Sequence, residues 1–467
     1  MNKLRYCLVI VGLTASLLVK AHSKSIFIPR SITTDSVFEL ALTNYDRYHD
    51  DSGACSYFYA KPFYMRSFNK KDLSRYFLPN NRRCVTFDES GAGDLDPLWF
   101  NLISPQGSFY RSLVCLCPER QAYGAVLTFY TQFCDDWWFG LNMTPMHVKH
   151  NLHVQESGRA EEGTLEGFRN ACDAFNNPGW TAGHLSCSSR GKTGLDDIQF
   201  KLGYDFYKTC NEHASVYLVG TAPTGSRQES FYLFEPLVGS KNGSVGVGVN
   251  TDCEVYACNE HALNFMADFK YRYVFSATQR RSFDLRNNGD WSRYLLIVTP
   301  NEPLNSLPGI NLFTQQVKVS PRNTVDLWLA AHYAYCGFNF EFGYDFWWRQ
   351  EEKVCRKCPL RSDFGIQTLA LCSLPITSAS TANISQTAVG DNATRTDSSF
   401  VELTGADLDI SSGTHPSSHS STLYAALSYN DSICDYPVML GLGGSCEFAT
   451  KNALEQWAVW FSAGVGF

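Results

Sequence analysis

The sequence predicts an all-β fold: an antiparallel transmembrane β-barrel of about 14–16 strands, with long extracellular loops. Three observations carry that expectation. Apolar and polar residues alternate strictly over stretches of 10 to 13 residues. No run of about 18 apolar residues, the length of a spanning helix, follows residue 21. Aromatic residues make up 14% of the 467-residue chain, with 32 Phe, 24 Tyr and 10 Trp, whereas charged residues make up only 18%.

Period two puts successive side chains on opposite faces of a strand. Leu263, Phe265, Ala267, Phe269, Tyr271, Tyr273 and Phe275 share one face, opposite Asn264, Met266, Asp268, Lys270 and Arg272. Val325, Leu327, Leu329, Ala331, Tyr333 and Tyr335 oppose Asp326, Trp328, Ala330, His332 and Ala334. Phe338, Phe340, Phe342, Tyr344, Phe346 and Trp348 oppose Asn339, Glu341, Gly343 and Asp345. Ile198, Phe200, Leu202, Tyr204 and Phe206 oppose Gln199, Lys201, Gly203 and Asp205. Soluble strands average five or six residues, and a tilted strand crosses a bilayer in about 9–11. An uninterrupted apolar face, backed by a face bearing charges, fits a wall between lipid and a wet lumen. The competing reading is a large soluble β-sandwich whose apolar faces meet in a core.

Taken in order, residues 1–21 read as a signal peptide. Lys3 and Arg5 precede the apolar stretch Tyr6 to Leu18, and Val19-Lys20-Ala21 fits a cleavage site. Its removal leaves 36 basic against 46 acidic residues, a net charge of −10, which excludes an electrostatic nucleic-acid binder. Residues 22–53 read as a polar N-terminal periplasmic extension, and 54–467 as the barrel. A first strand is expected over 54–66. Further strands are expected at about 112–118, 122–134, 137–148, 196–207, 213–222, 230–239, 244–256, 262–275, 291–299, 309–319, 323–335, 337–349, 363–372, 422–429, 434–448 and 455–467. Closed bacterial barrels have even strand numbers, so some of these 17 candidates belong to loops. The Gly-, Asn- and Ser-rich stretch 149–195 and the Ser/Thr/Ala-rich stretch 373–421 read as extracellular loop insertions. Cys210-Asn211-Glu212-His213-Ala214 recurs as Cys258-Asn259-Glu260-His261-Ala262, each opening a strand. The expected strands put the two turns on opposite rims, so either one strand between them is misplaced or the repeat is a coincidence.

The mature chain keeps 16 of the 17 Cys, which points to an oxidising compartment. The local groupings Cys115 with Cys117, Cys172 with Cys187, Cys355 with Cys358, and Cys434 with Cys446 are candidate disulfide cysteines. Only one Cys-x-x-Cys pair exists, so no zinc site is expected. His147, His150 and His153 read as a solvated strand end. Gly-x-Ser-x-Gly, Walker and His-Glu-x-x-His motifs are absent, so neither catalysis nor a cofactor is expected. The charged face is the stronger candidate for function. Arg or Lys on the lipid face costs roughly 2–4 kcal/mol at the bilayer midplane. Asp268, Lys270, Arg272, Asp326, His332, Glu341 and Asp345 are therefore expected to line the pore, where rings of charge tune passage. The alternative is that such groups pair across strands and plug the lumen.

At the C-terminus, Trp457, Val459, Phe461, Ala463, Val465 and Phe467 alternate with a small or polar face. An amphipathic last strand ending in Phe resembles the insertion signal of bacterial outer-membrane barrels, carried here by Trp457, Val459, Phe461 and Phe467. Over roughly 54–467 the chain resembles porin-like outer-membrane β-barrel proteins. Thr221-Ala222-Pro223-Thr224-Gly225 and Arg280-Arg281-Ser282-Phe283-Asp284-Leu285 resemble an uncharacterised subgroup from little-studied bacterial lineages. The resemblance implies an outer-membrane location, insertion by the barrel-assembly machinery, contact with outer-membrane lipid, and passive diffusion of small solutes or ions. It leaves room for a homo-oligomer, trimers being common among porins. Two other readings remain open: a non-conducting barrel acting as surface adhesin or structural protein, and a secreted disulfide-rich soluble β protein.

Overall fold

The computed structural model describes residues 23–45, 54–102, 110–134, 136–158, 167–209, 211–367, 382–385, 400–434 and 436–467. Twelve antiparallel strands close into a barrel. They are β1 (Ser56–Ser67), β2 (Glu119–Gln132), β3 (Trp137–Met143), β4 (Ile198–Lys208), β5 (Glu212–Ala222), β6 (Ser244–Cys258), β7 (His261–Val274), β8 (Arg322–Tyr335), β9 (Phe338–Arg349), β10 (Ser418–Ile433), β11 (Tyr436–Lys451) and β12 (Gln456–Gly466). Each pairs with its sequence neighbour, and β1 closes the ring between β12 and β2. Segments Pro145–Asn151 and Arg190–Leu195 lengthen β3 and β4 at one rim.

The alternation decides which way each strand faces. Phe265, Phe269, Tyr271 and Tyr273 of β7 are exposed, as are Phe338, Phe340 and Phe342 of β9. Leu440 and Leu442 of β11 and Val459 and Phe461 of β12 continue the same apolar belt. Their neighbours along each strand point inward and are buried. In lipid every backbone polar group needs a partner, and a closed ladder supplies one.

Twelve strands form the wall, fewer than the 14–16 expected. The candidates at 112–118, 230–239, 291–299 and 309–319 lie outside it, as does 363–367, the rest of the candidate at 363–372 falling outside the described residues. Val114, Leu116, Leu233, Phe234, Ile297, Ile310 and Phe364 are buried in a common core instead. They carry the apolar content of strands because they are covered on all sides. Removing 230–239 from the wall also settles the repeat: the turns after Lys208 and after Cys258 both lie on one rim.

The rims differ. One carries the short connections, between β2 and β3, β4 and β5, β6 and β7, β8 and β9, and β10 and β11. From the other rise the long connections, which pack into a cap. The cap includes helix α2 (Lys70–Phe77) and a core containing Trp99, Phe100, Phe175, Trp291 and Tyr294. Short turns face the periplasm and long loops the exterior in barrels of this type. Disulfides Cys84–Cys115 and Cys172–Cys187 tie two of the connections. Cys115 faces Cys84 across an antiparallel pair, and Cys117 keeps a free thiol. Cys355, Cys358, Cys434 and Cys446 also carry free thiols. Cys355 sits in a short strand opposite Lys318, with Cys358 in the bend beyond. Cys434 lies in a turn, and the ten residues from Tyr436 to Cys446 climb β11 by roughly 30 Å at about 3.3 Å each. Burial raises the carboxyls of Asp96 and Glu235 to about 7 and that of Asp284 to about 6.

Candidate functional site

The barrel encloses a chain segment. Residues 23–45 are almost all buried, Ile26, Phe38, Leu40, Ala41 and Asn44 among them. The segment is tied to the cap at one end. Ser25 donates through its backbone N–H to the carbonyl of Ser412 at 2.9 Å, and through its hydroxyl to that of Ser282 at 2.6 Å. The ring of Phe27 packs edge-on to Tyr76 and His415. From there the chain descends the lumen, and Tyr45 stacks on His332 with ring centroids 3.9 Å apart, near the hairpin rim. The sequence reading put 22–53 outside the barrel as a periplasmic extension; residues 23–45 lie inside it, and 46–53 fall outside the described residues. Nine apolar residues between Ile26 and Leu42 are too many for a solvated extension, and burying them removes that surface from water.

One helical turn, α1 (Ser36–Leu40), forms inside the lumen. Asp35 caps it by accepting from the Val37 N–H at 3.0 Å. Its other end meets a cation: the fully buried Lys61 of β1 donates to the carbonyls of Phe38 and Ala41, at 3.0 and 2.6 Å. A positive charge is favoured where a helix leaves carbonyls unpaired.

Two ionic latches join the segment to the wall. Arg30 reaches Asp345 of β9 and Asp326 of β8, both at 2.6 Å, with Asp35 at 3.6 Å. Asp326 also binds Arg272 of β7 at 3.0 Å. The opposite polarity holds at Glu39, which meets Lys201 of β4 at 2.5 Å and Lys270 of β7 at 3.2 Å and accepts from Gln199 at 3.0 Å. Buried charges persist only when paired, and these pairs combine one partner from the wall with one from the segment.

Closer to the hairpin rim the wall pairs mainly with itself. Asp268 accepts from the Tyr217 hydroxyl at 2.8 Å and from Asn250 at 3.1 Å. Glu341 accepts from the Tyr424 hydroxyl at 2.6 Å and lies 3.2 Å from His332, while also taking the N–H of Leu42 at 3.1 Å. A cavity remains beside the segment at the cap end, lined by Arg30, Arg272, Trp347, Arg349 and Glu352.

Asp268, Lys270, Arg272, Asp326, His332, Glu341 and Asp345 thus all face the interior and are buried. The structure brings Lys270, Asp326 and Asp345 onto the segment's charges and places Arg272 beside them, while Asp268 and His332 bind wall neighbours. Alternation along the strands does not reach Arg30, Asp35 or Glu39, while Lys61 falls on the inward face of β1. The available signal was the scatter of three charges through an otherwise apolar N-terminal stretch. Val459, Phe461 and Phe467 are exposed on the outer face, and β12 carrying them closes the ring against β1.

A closed barrel with an apolar outer belt, aromatic residues towards both rims, short turns on one side and long connections on the other is an outer-membrane β-barrel. No family model matches the chain, and no curated protein does. Among solved structures it is similar to an outer membrane channel from Pseudomonas putida F1, with 8% identity and TM-score 0.38 over 89% of this chain and 96% of that one. It is also similar to the CymD monoaromatic hydrocarbon channel, with 9% identity and TM-score 0.29 over 94% and 95%. For the NanC porin the values are 9% and 0.26 over 74% and 93%.

Proposed function

We propose that this protein is a gated outer-membrane channel for small polar solutes or ions, held closed by residues 23–45. Passage is passive and begins when the segment leaves the lumen. One observation supports this above the others: wall charges of both signs are balanced by charges on a strip of chain that is not part of the wall. With the strip withdrawn, Lys201, Lys270, Arg272, Asp326 and Asp345 would line a hydrated path. A second reading, a non-conducting barrel that serves as a platform, draws support from the cap, which has its own apolar core and two disulfides. Planar-bilayer recording of the refolded, oxidised protein separates the two. The channel reading expects rare openings in the complete mature chain and frequent discrete steps once residues 22–45 are deleted. Silence from a deleted chain that has folded and inserted would refute it and leave the platform.

A further inference from the structure

Cysteines recur at the hairpins of the short rim: Cys134, Cys336 and Cys434 lie in turns, Cys258 ends β6 at its turn, and Cys210 falls in the sequence between β4 and β5. Cys210 lies outside the described residues; the other four are exposed and carry free thiols. Towards the opposite rim Cys84, Cys115, Cys172 and Cys187 are paired within the chain, while Cys117, Cys355, Cys358 and Cys446 keep free thiols. Two of the turn cysteines occupy left-handed backbone, Cys336 at φ 48° and Cys434 at φ 53°. Gly and Asn are the usual residues there, and Cys gains nothing from the conformation. The Cys336 thiol is fully exposed and donates to the carboxylate of Glu260, which raises it above the ordinary thiol range.

From this ring we infer that the rim is a covalent docking face for further copies of the same chain. Consecutive turns on this rim are two strands apart, about 10 Å at a strand spacing of roughly 4.8 Å. A disulfide needs Cα atoms within about 7 Å, so neighbouring turns cannot be bridged to each other. A second copy meets the geometry. Its apolar belt fixes the same depth in the membrane, so its collar lies at the same height and faces this one side by side. The exposed aromatics beside the turns, Phe133, Trp137, Tyr335, Phe338 and Tyr436, mark that depth at the interface. Cysteines on every side of the ring let each copy bond to more than one neighbour.

The chemistry is thiol–disulfide exchange with an oxidised dithiol carrier of the periplasm. A collar thiolate attacks the carrier disulfide, forming a mixed disulfide and releasing one carrier thiolate. A collar thiolate of the second copy then attacks the mixed bond at the first copy's sulfur. Two collar thiols lose two protons and two electrons, and the carrier leaves as a dithiol.

The test takes outer membranes holding the full mature chain, alkylated at lysis to trap free thiols, and runs them on non-reducing gels. Bands are expected at whole multiples of the monomer mass, collapsing to monomer on reduction. On a Cys55→Ser background, which removes the other exposed thiol beside this rim, changing Cys134→Ser, Cys210→Ser, Cys258→Ser, Cys336→Gly and Cys434→Gly together removes the multiples while heat-modifiable migration shows a folded barrel. On the same background, chains keeping Cys336 alone of the five should reach dimer and nothing larger. If the five-fold variant does not fold, proteolysis of the oxidised wild type decides: a Cys336 peptide disulfide-bonded to its own twin arises only between copies. Monomer alone after added oxidant, multiples that persist without the collar, or adducts at other masses would each overturn the proposal.

Discussion

Replacing Arg30 by Ala tests the closed lumen most directly. Arg30 and its two wall partners are nearly free of solvent, with side-chain exposures of 4% for Arg30 and 0% for Asp326 and Asp345. Asp326 keeps Arg272 at 3.0 Å after the change. Among the described residues neither Asp345 nor Asp35 has a second cation at ion-pair distance, so the substitution leaves both carboxylates without one, Asp345 the more deeply buried and Asp35 still accepting from the Val37 N–H. Removing one partner of a buried pair costs about 3–5 kcal/mol, and the retained Arg272 argues for the lower figure. At roughly 1.4 kcal/mol per factor of ten, 3 kcal/mol raises the ratio of displaced to docked segment by about two orders of magnitude. Water entering the vacated lumen solvates Asp345 only in the displaced state, which sets the sign.

The assay is single-channel recording in planar bilayers, comparing open probability at fixed voltage. Arg30→Ala is expected to open on the order of a hundred-fold more often than wild type, with unchanged step size, since the wall is intact. Pairing Arg30→Met with Asp345→Asn removes both charges and should recover most of the closure, because the most deeply buried carboxylate is then neutral and Asp35 keeps the Val37 N–H. Equal open probability in wild type and Arg30→Ala, with frequent opening of the chain lacking residues 22–45, would refute the latch while leaving the plug.

Three further outcomes follow from the same geometry. Glu39→Gln leaves Lys201 and Lys270 facing a neutral amide, so open probability should rise here too, checked in the same recordings; an unchanged value would show that Gln199 and the backbone suffice. Asp96, Glu235 and Asp284 should each favour the folded cap at pH 5 over pH 8, against the buried His184 and His415, which burial holds below the usual imidazole range and which slope the other way. Asp96 and Glu235 titrate near 7 when folded, against 3.8 and 4.5 in their ordinary state, and Asp284 near 6. At these carboxyls the folded cap therefore holds more protons than the unfolded one in that window, and their contribution declines as pH rises through it. Protease resistance of the cap against pH reads this, with wild type losing ground to Asp96→Asn as pH rises. Removing the bridge between Cys84 and Cys115, 31 residues apart, should cost the cap roughly 3–4 kcal/mol by release of loop entropy, visible as an earlier denaturant midpoint.

The wall was legible because the bilayer imposes a rule that each strand obeys alone. Phe338, Phe340 and Phe342 face outward for the same reason that Asn339 and Glu341 face inward, and no knowledge of neighbouring strands is needed. The twelve wall strands were all among the 17 candidates. What local pattern does not tell is whether an apolar stretch meets lipid or protein. Phe231, Tyr232, Leu233 and Phe234 are as apolar as the outer face of a wall strand, yet Leu233 and Phe234 are buried under loops. The segment in the lumen was illegible for a related reason. Arg30 finds partners 296 and 315 residues away, and only closure of the ring brings β8 and β9 beside it.

The two halves of the lumen depend on the segment unequally, and this bears on how a channel of this build opens. Towards the hairpin rim, Asp268 and Glu341 are satisfied largely by Tyr217, Asn250, Tyr424 and His332, all of the wall. Emptying that half exposes groups that are already paired. Towards the cap, Asp345, Lys201 and Lys270 lose their buried counter-charges when Arg30 and Glu39 leave, so the work of opening is concentrated there. That same end is tied to the cap through Ser25 and Phe27, only a few residues from Arg30. Displacing the cap therefore pulls first on the latch that costs most to break, whereas a push from the periplasmic side meets Tyr45 and must carry the whole segment before Arg30 is released. In the channel proposed above, the asymmetry makes the loops of the cap, rather than the turns of the short rim, the lever of the gate.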